Sequence, residues 1–232
     1  MNVNGIEIKI RRKRIKNIHL YVKPPRGDVE VSCPQSFSDE NIRFFVCSNF
    51  AWVTKKRDEY LNHPRQTKRE YVTGETLYLW GKGYYLLLKT SAKEYSIKIS
   101  GNTLILTVRK GCSLEQKTNA VESWYRGLLR QEIDRQLPKI EKATGLSCAS
   151  FRIQKMETRW GSCNHDDKTL LFNLFLAQKP KTCLNYVIVH ELAHTVERTH
   201  NKAFVAILDK YLPNWRERKK LLNSTISIPW EE

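Results

Sequence analysis

Residues 187–200 read VIVHELAHTVERTH. Three of the chain's six histidines fall in this stretch, and two of them flank a glutamate as H-E-x-x-H. The apolar residues Val187, Val189, Leu192 and Ala193 around them predict a buried helix. Each helical residue advances about 100°, so His190 and His194 lie within about 40° of one another on one face. They can grip one ion from the same side. Glu191 stands one position round, where it can reach a water on that ion without being a ligand. This is the physical reason the spacing suits a zinc hydrolase. Without such a partner, two imidazoles and a carboxylate in an apolar helix are costly to bury.

A catalytic zinc needs a third protein ligand and one open position. His200 is the first candidate. On a continuous helix it points about 120° away from His194, so the helix has to end between them. The segment Glu197–Asn201 permits a break near Thr199, with Thr199 or Asn201 capping a next helix over KAFVAIL. In the motif H-E-x-x-H-x-x-G-x-x-H a glycine makes this turn, and here Glu197 stands in its place. Asp209 and Glu217 are the rival third ligands, as carboxylates.

Working outward, the first hundred residues read mainly as strands. IEIKI alternates Ile6, Ile8 and Ile10 with polar residues, and IHLYVK and DVEVSC follow around a turn at PPRGD. One helix is predicted over SFSDENIRFFVCSNFAWVTKKRDEYL, opening on a Ser or Asp cap. A second strand group runs from Tyr71 to Arg109, with hairpin turns at Gly81–Gly83 and Ser100–Asn102. Beyond Gly111 a helix spaces Ala120, Val121, Trp124, Leu128 and Ile133 and stops before Pro138. A hairpin follows, turning at Asn164–Lys168, then the histidine helix from near Thr182 and two more helices. The expected class is α+β. Residues 1–112 form an antiparallel, β-rich N-terminal domain with one inserted helix. Residues 113–232 form a helical domain with a β-hairpin.

The net charge of +16 is uneven. Residues 1–110 hold 21 Lys and Arg against 10 Asp and Glu, and the remainder 19 against 14. A basic N-terminal half that includes RRKRIK at 11–16 fits either a solvated face or nucleic acid as a partner. No run approaches the roughly 18 apolar residues of a membrane span, and no signal-peptide pattern opens the chain. The expectation is a cytoplasmic protein with no membrane partner. The six cysteines form no C-x-x-C pair and read as small buried hydrophobes, with Cys163 set apart by its place beside the RWGS segment.

RWGSC at 159–163, LFNLFLAQKP at 171–180, YVIVHELAH at 186–194 and HNKAF at 200–204 occur in the order, and near the spacing, of the YgjP-like metallopeptidase family. The chain resembles that family, which is related to the SprT-like and WLM zinc peptidases, over most of its length. The resemblance implies a minimal zincin-like domain in which His190, His194 and His200 bind one Zn2+ and Glu191 is catalytic. The histidine of the last segment sits in THNKAF rather than in the family's N-H-S-x-x-F-like form. The implied reaction is peptide-bond hydrolysis of a protein or peptide substrate, by a zinc-bound water that Glu191 activates. RWGSC has two open roles: Trp160 and Gly161 pack the hairpin on the metal helix, or Arg159, with Trp160 beside it, reaches into the cleft to hold a substrate carboxylate, a phosphate or the oxyanion of the reaction. Two other readings are kept, a metal-dependent nucleoside triphosphate pyrophosphatase and a nucleic-acid-associated protein-processing factor. The first lacks a G-x-x-x-x-G-K-[ST] loop.

Overall fold

The computed structural model describes residues 1–23, 27–62, 69–91 and 95–224. Contacts divide the chain into Met1–Arg65 and Gln66–Pro229, rather than after residue 112. The fold is α+β, with three mixed sheets and six α-helices among the described residues.

In the first unit, β1 (Asn2–Val3), β2 (Ile6–Lys13), β3 (His19–Lys23) and β4 (Asp28–Pro34) form one sheet in the order β1-β2-β4-β3. The alternation of Ile6 and Ile8 puts both in the core beside Val29 and Val31. The expected antiparallel sheet is corrected here, because β2 and β4 run parallel. The PPRGD turn falls partly on residues 24–26, outside the described residues. The single inserted helix is two. α1 (Asp39–Ser48) starts on a Ser38 cap that accepts from Asn41 N–H, as its sequence suggested. Asn49 ends it by turning its Nδ2 back onto Phe45 O at 2.8 Å, and α2 (Phe50–Asn62) follows. Arg11 pairs with Glu30 at 3.0 Å and Arg12 with Asp39, so the RRKRIK run is partly neutralised at home.

The second unit opens with the same wiring. β5 (Thr76–Leu79), β6 (Lys82–Ser91), β7 (Ser96–Ser100) and β8 (Thr103–Arg109) lie in the order β5-β6-β8-β7, with β6 and β8 parallel. Both sheets open with a two-residue turn of positive φ, Asn4-Gly5 in one and Trp80-Gly81 in the other. α3 (Leu114–Thr144) begins with a Ser113–Gln116 capping box and ends on left-handed Gly145. It runs through Pro138 rather than stopping before it. The missing N–H costs about 3 kcal/mol, but beyond the expected stop Ile140 and Thr144 are buried, Ile140 alone contributing roughly 1.5–3 kcal/mol.

A third sheet holds β9 (Ser150–Gln154), β10 (Gly161–Asn164) and β11 (Thr169–Asn173), with β10–β11 the expected hairpin and β9 parallel to β11. Leu174–Gln178 then forms a 3-10 helix started by Asn173. Then come α4 (Lys181–Ala193), α5 (Lys202–Tyr211) and α6 (Trp215–Ser224). α4 is the most enclosed, with Leu184, Ile188 and Leu192 sealed from solvent. Leu77, Leu86, Leu104 and Leu106 of the second sheet share one buried cluster with α3 and α4. That shared core is why the division falls before β5. The hairpin tip fixes the start of α4: Trp80 N–H donates to Ala177 O at 2.8 Å and Gly81 N–H to Gln178 O at 3.1 Å. A Cβ on Gly81 would stand 2.7 Å from Pro180 Cγ.

Cys33 and Cys183 are buried, Cys112, Cys148 and Cys163 half-buried, and Cys47 exposed, so the buried-hydrophobe expectation holds for two. No helix among the described residues is long and apolar enough to cross a membrane.

Candidate metal centre

α4 ends at Ala193, earlier than the break near Thr199 that the spacing suggested. His194 closes it, with Val196 and Glu197 N–H both donating to Ala193 O at 3.2 and 3.0 Å. None of residues 194–200 has a positive φ, so the turn needs no glycine and tolerates Glu197. Glu197 Oε1 instead accepts from Thr199 N and Oγ1. Asn201, not Thr199, caps α5 by accepting from Phe204 N–H at 3.0 Å. The chain thus delivers His200 back over α4.

The result is a three-histidine cluster. His200 Nε2 lies 3.1 Å from Nε2 of His194 and 3.1 Å from Nε2 of His190. A tetrahedral ion with Zn–N bonds of about 2.0–2.1 Å holds its ligands roughly 3.3 Å apart, close to these separations. Two of the second ring nitrogens are engaged elsewhere. His194 Nδ1 lies 2.9 Å from Glu197 O. A carbonyl only accepts, so Nδ1 carries a proton and Nε2 is the nitrogen left to face an ion. His190 Nδ1 meets the Tyr186 hydroxyl at 3.4 Å. Burial and the two neighbouring histidines push His190 down to about 3, and burial lowers His200 as well, so both are neutral. Three imidazoles with their Nε2 atoms converging fit a divalent metal. Phe204 packs at 4.6–4.9 Å from all three rings and closes the apolar side. Asp209 is occupied by Trp215 Nε1 and Arg216, and neither it nor Glu217 joins the cluster.

Glu191 is buried beside the cluster, and burial pushes its carboxyl up to about 8 despite the charge of Arg159. Its neighbour is Gly161 of β10. A Cβ there would sit 2.5 Å from Glu191 Oε1 and 2.8 Å from Cδ. The glycine of RWGSC is therefore the space the carboxylate occupies. Cys163 lines the same cleft but lies outside the histidine cluster, with its thiol pushed up to about 11 by burial and by Glu191.

The cleft has a volume of about 990 Å³ and opens over Glu191 and the three histidines. Arg159 is exposed on its wall. Trp160 lines it too, but packs against the core with Lys179 Nζ 5.1 Å from its ring centre. Three residues that the spacing argument passed over hold this arrangement. Buried Asn173 donates through Nδ2 to Met156 O and Arg159 O, both at 2.7 Å, and pins the loop that presents Arg159. Tyr186 stands four residues before His190 and orients it. His165 Nδ1 reaches His194 O at 2.9 Å from the β10–β11 turn.

A family profile described as "YgjP-like, metallopeptidase domain" matches residues 16–225. The chain belongs to that family. The match takes in both units and the whole histidine cluster. No curated protein matches the chain. Among solved structures, the metallopeptidase zymogen of Pyrococcus abyssi abylysin aligns with 41% of this chain and 98% of its own, at 16% identity and a TM-score of 0.37. The zymogen of Methanocaldococcus jannaschii jannalysin aligns with 40% and 97%, at 23% identity and a TM-score of 0.36.

Proposed function

We propose that this YgjP-like metallopeptidase is a zinc enzyme that cuts peptide bonds. His190, His194 and His200 hold one Zn2+, and Glu191 moves the proton. The observation that carries this reading is the meeting of His200 Nε2 with both His190 and His194 Nε2 at 3.1 Å, beside a buried carboxyl. A bound zinc supplies a Lewis acid that makes water a nucleophile near neutral pH and polarises the scissile carbonyl.

The chain's own residues supply the proton path and the orientation. Glu191, with its carboxyl raised to about 8 by burial, works near neutral pH and can both take a proton and give it back. It accepts the proton of the attacking water and passes it to the departing amine. Gly161 keeps the carboxylate in place because it offers nothing to push it away. Arg159, held by Asn173 through its carbonyl, meets an anionic group of the substrate, and Trp160 forms the adjoining wall.

The test is Glu191→Gln assayed on unfolded casein. Metal content is expected to match the wild type while turnover falls by about 10²–10⁴. A variant that cuts casein at the wild-type rate overturns the assignment.

A further inference from the structure

Five charged side chains besides the histidines line the cleft: Arg159, Asp166, Glu191, Arg198 and Lys219. Asp166 and Arg198 neutralise each other at 2.7 Å. Glu191 is committed to proton transfer. Arg159 and Lys219 remain, both exposed, and neither is in a salt bridge with a carboxylate of the described residues.

We propose, building on the peptidase reading above, that the cleft selects acidic peptide segments, with carboxylates flanking the scissile bond met by Arg159 on one wall and Lys219 on another. The two cations come from different elements. Arg159 belongs to the loop before β10 and Lys219 to α6, and β10 and α6 each pack on α4. Each element therefore brings one cation to the cleft that opens over Glu191 and the histidines. The α6 wall is firmly seated: Trp215 stacks on Tyr186 with ring centres 6.3 Å apart and planes at 8°, and Lys219 Nζ lies 5.9 Å from the Trp215 ring. Between the walls the cleft floor is apolar, with Val187, Phe204 and Leu208.

This layout favours a peptide over a phosphate. A phosphate group is held best by several donors gathered at one point. Two single cations on separate walls suit two separate carboxylates along an extended chain. Both contacts are solvent-exposed, so the preference weakens as salt screens them.

The test starts from the casein bond that the zinc-loaded full-length protein cuts fastest. Two quenched fluorescent peptides are built on that site, identical except for Glu or Lys at the positions flanking the bond. The Glu peptide is expected to be cut with about tenfold higher kcat/KM in low salt, falling towards equality near 0.5 M salt. Lys219→Glu, a surface change on α6, is expected to lower that ratio, and Arg159→Glu with Lys219→Glu to reverse it. The ratio is internal to each variant, so a general loss of activity does not hide it. Equal rates for the two peptides, or a ratio untouched by Lys219→Glu, overturns the proposal and leaves the peptidase reading standing. Absence of Glu191-dependent cleavage of casein removes the peptidase reading and this one with it. Release of pyrophosphate from nucleoside triphosphates faster than cleavage of the Glu peptide reassigns both cations to phosphate and overturns it.

Discussion

Gly161 is where a missing side chain makes room for a buried carboxylate. Its Cα passes so close to Glu191 that one added methyl would overlap the carboxylate. Gly161→Ala is expected to retain bound metal and lose about a hundredfold in turnover, because a displacement of the order of 1 Å at a reacting group costs that much. Near wild-type turnover in that variant would detach Glu191 from the position argued here. His190, Glu191 and His194 were legible in the sequence because helical geometry relates them locally. Asn173 and His165 were not, because each acts through a partner far along the chain, and Gly161 was legible as a packing residue of the metal helix but not as the neighbour of Glu191. His200 stood between: its distance from His194 demanded a break, but only the structure places that break at Ala193 and the cap at Asn201. A turn built from main-chain donors to Ala193 O leaves no composition signal.

At the scale of elements, the histidine helix is held by a polar chain through α3, α4 and α6. Glu132 of α3 accepts from Lys181 of α4 and from Gln136, both at 2.7 Å, and also from Arg135. Gln136 accepts from Asn185 at 3.3 Å, and Asn185 from Arg218 of α6 at 2.5 Å. Burial alone would raise the Glu132 carboxyl, but the hydrogen bonds from Arg135, Lys181 and Gln136 outweigh it and hold it at about 2. Its folded pKa lies below the ordinary 4.5, so its contribution is complete above that pH and is lost as pH falls towards about 2. Glu132→Gln is expected to destabilise the protein by roughly 1–2 kcal/mol at neutral pH, less than the lowered pKa alone implies because Lys181 and Arg135 are half-exposed. Denaturant titrations of both proteins between pH 7 and pH 2 check this. A gap that persists undiminished at pH 2 would contradict it. Alternation and turn residues made the individual strands readable. The parallel pairs β2–β4, β6–β8 and β9–β11 were not, because short hairpin signals report only on neighbours in sequence. Pro138 misled for a related reason: its local cost is visible in the sequence, whereas the burial of Ile140 and Thr144 beyond it is not.

For the whole molecule, the consequence is where the unit that carries the histidine cluster begins. β5–β8 resemble the N-terminal sheet in composition and wiring, which is why residues 1–112 read as one domain. Their buried leucines nevertheless belong to the core of α3 and α4. A chain starting at residue 113 is therefore expected to be unfolded by circular dichroism and denaturant titration, whereas one starting at Gln66 is expected to unfold cooperatively. A cooperative fold from residue 113 would show that the second sheet is dispensable. The basic excess of the first half is partly met at home, since Arg11 and Arg12 are paired within their own unit. The central claim concerns one ion for the entire chain. Its most direct test is metal analysis of the untagged protein beside His200→Ala. The account predicts one zinc per wild-type chain and a zinc that is lost or much more readily chelated in the variant; a wild-type chain without stoichiometric zinc, or a variant that holds it just as firmly, would contradict it.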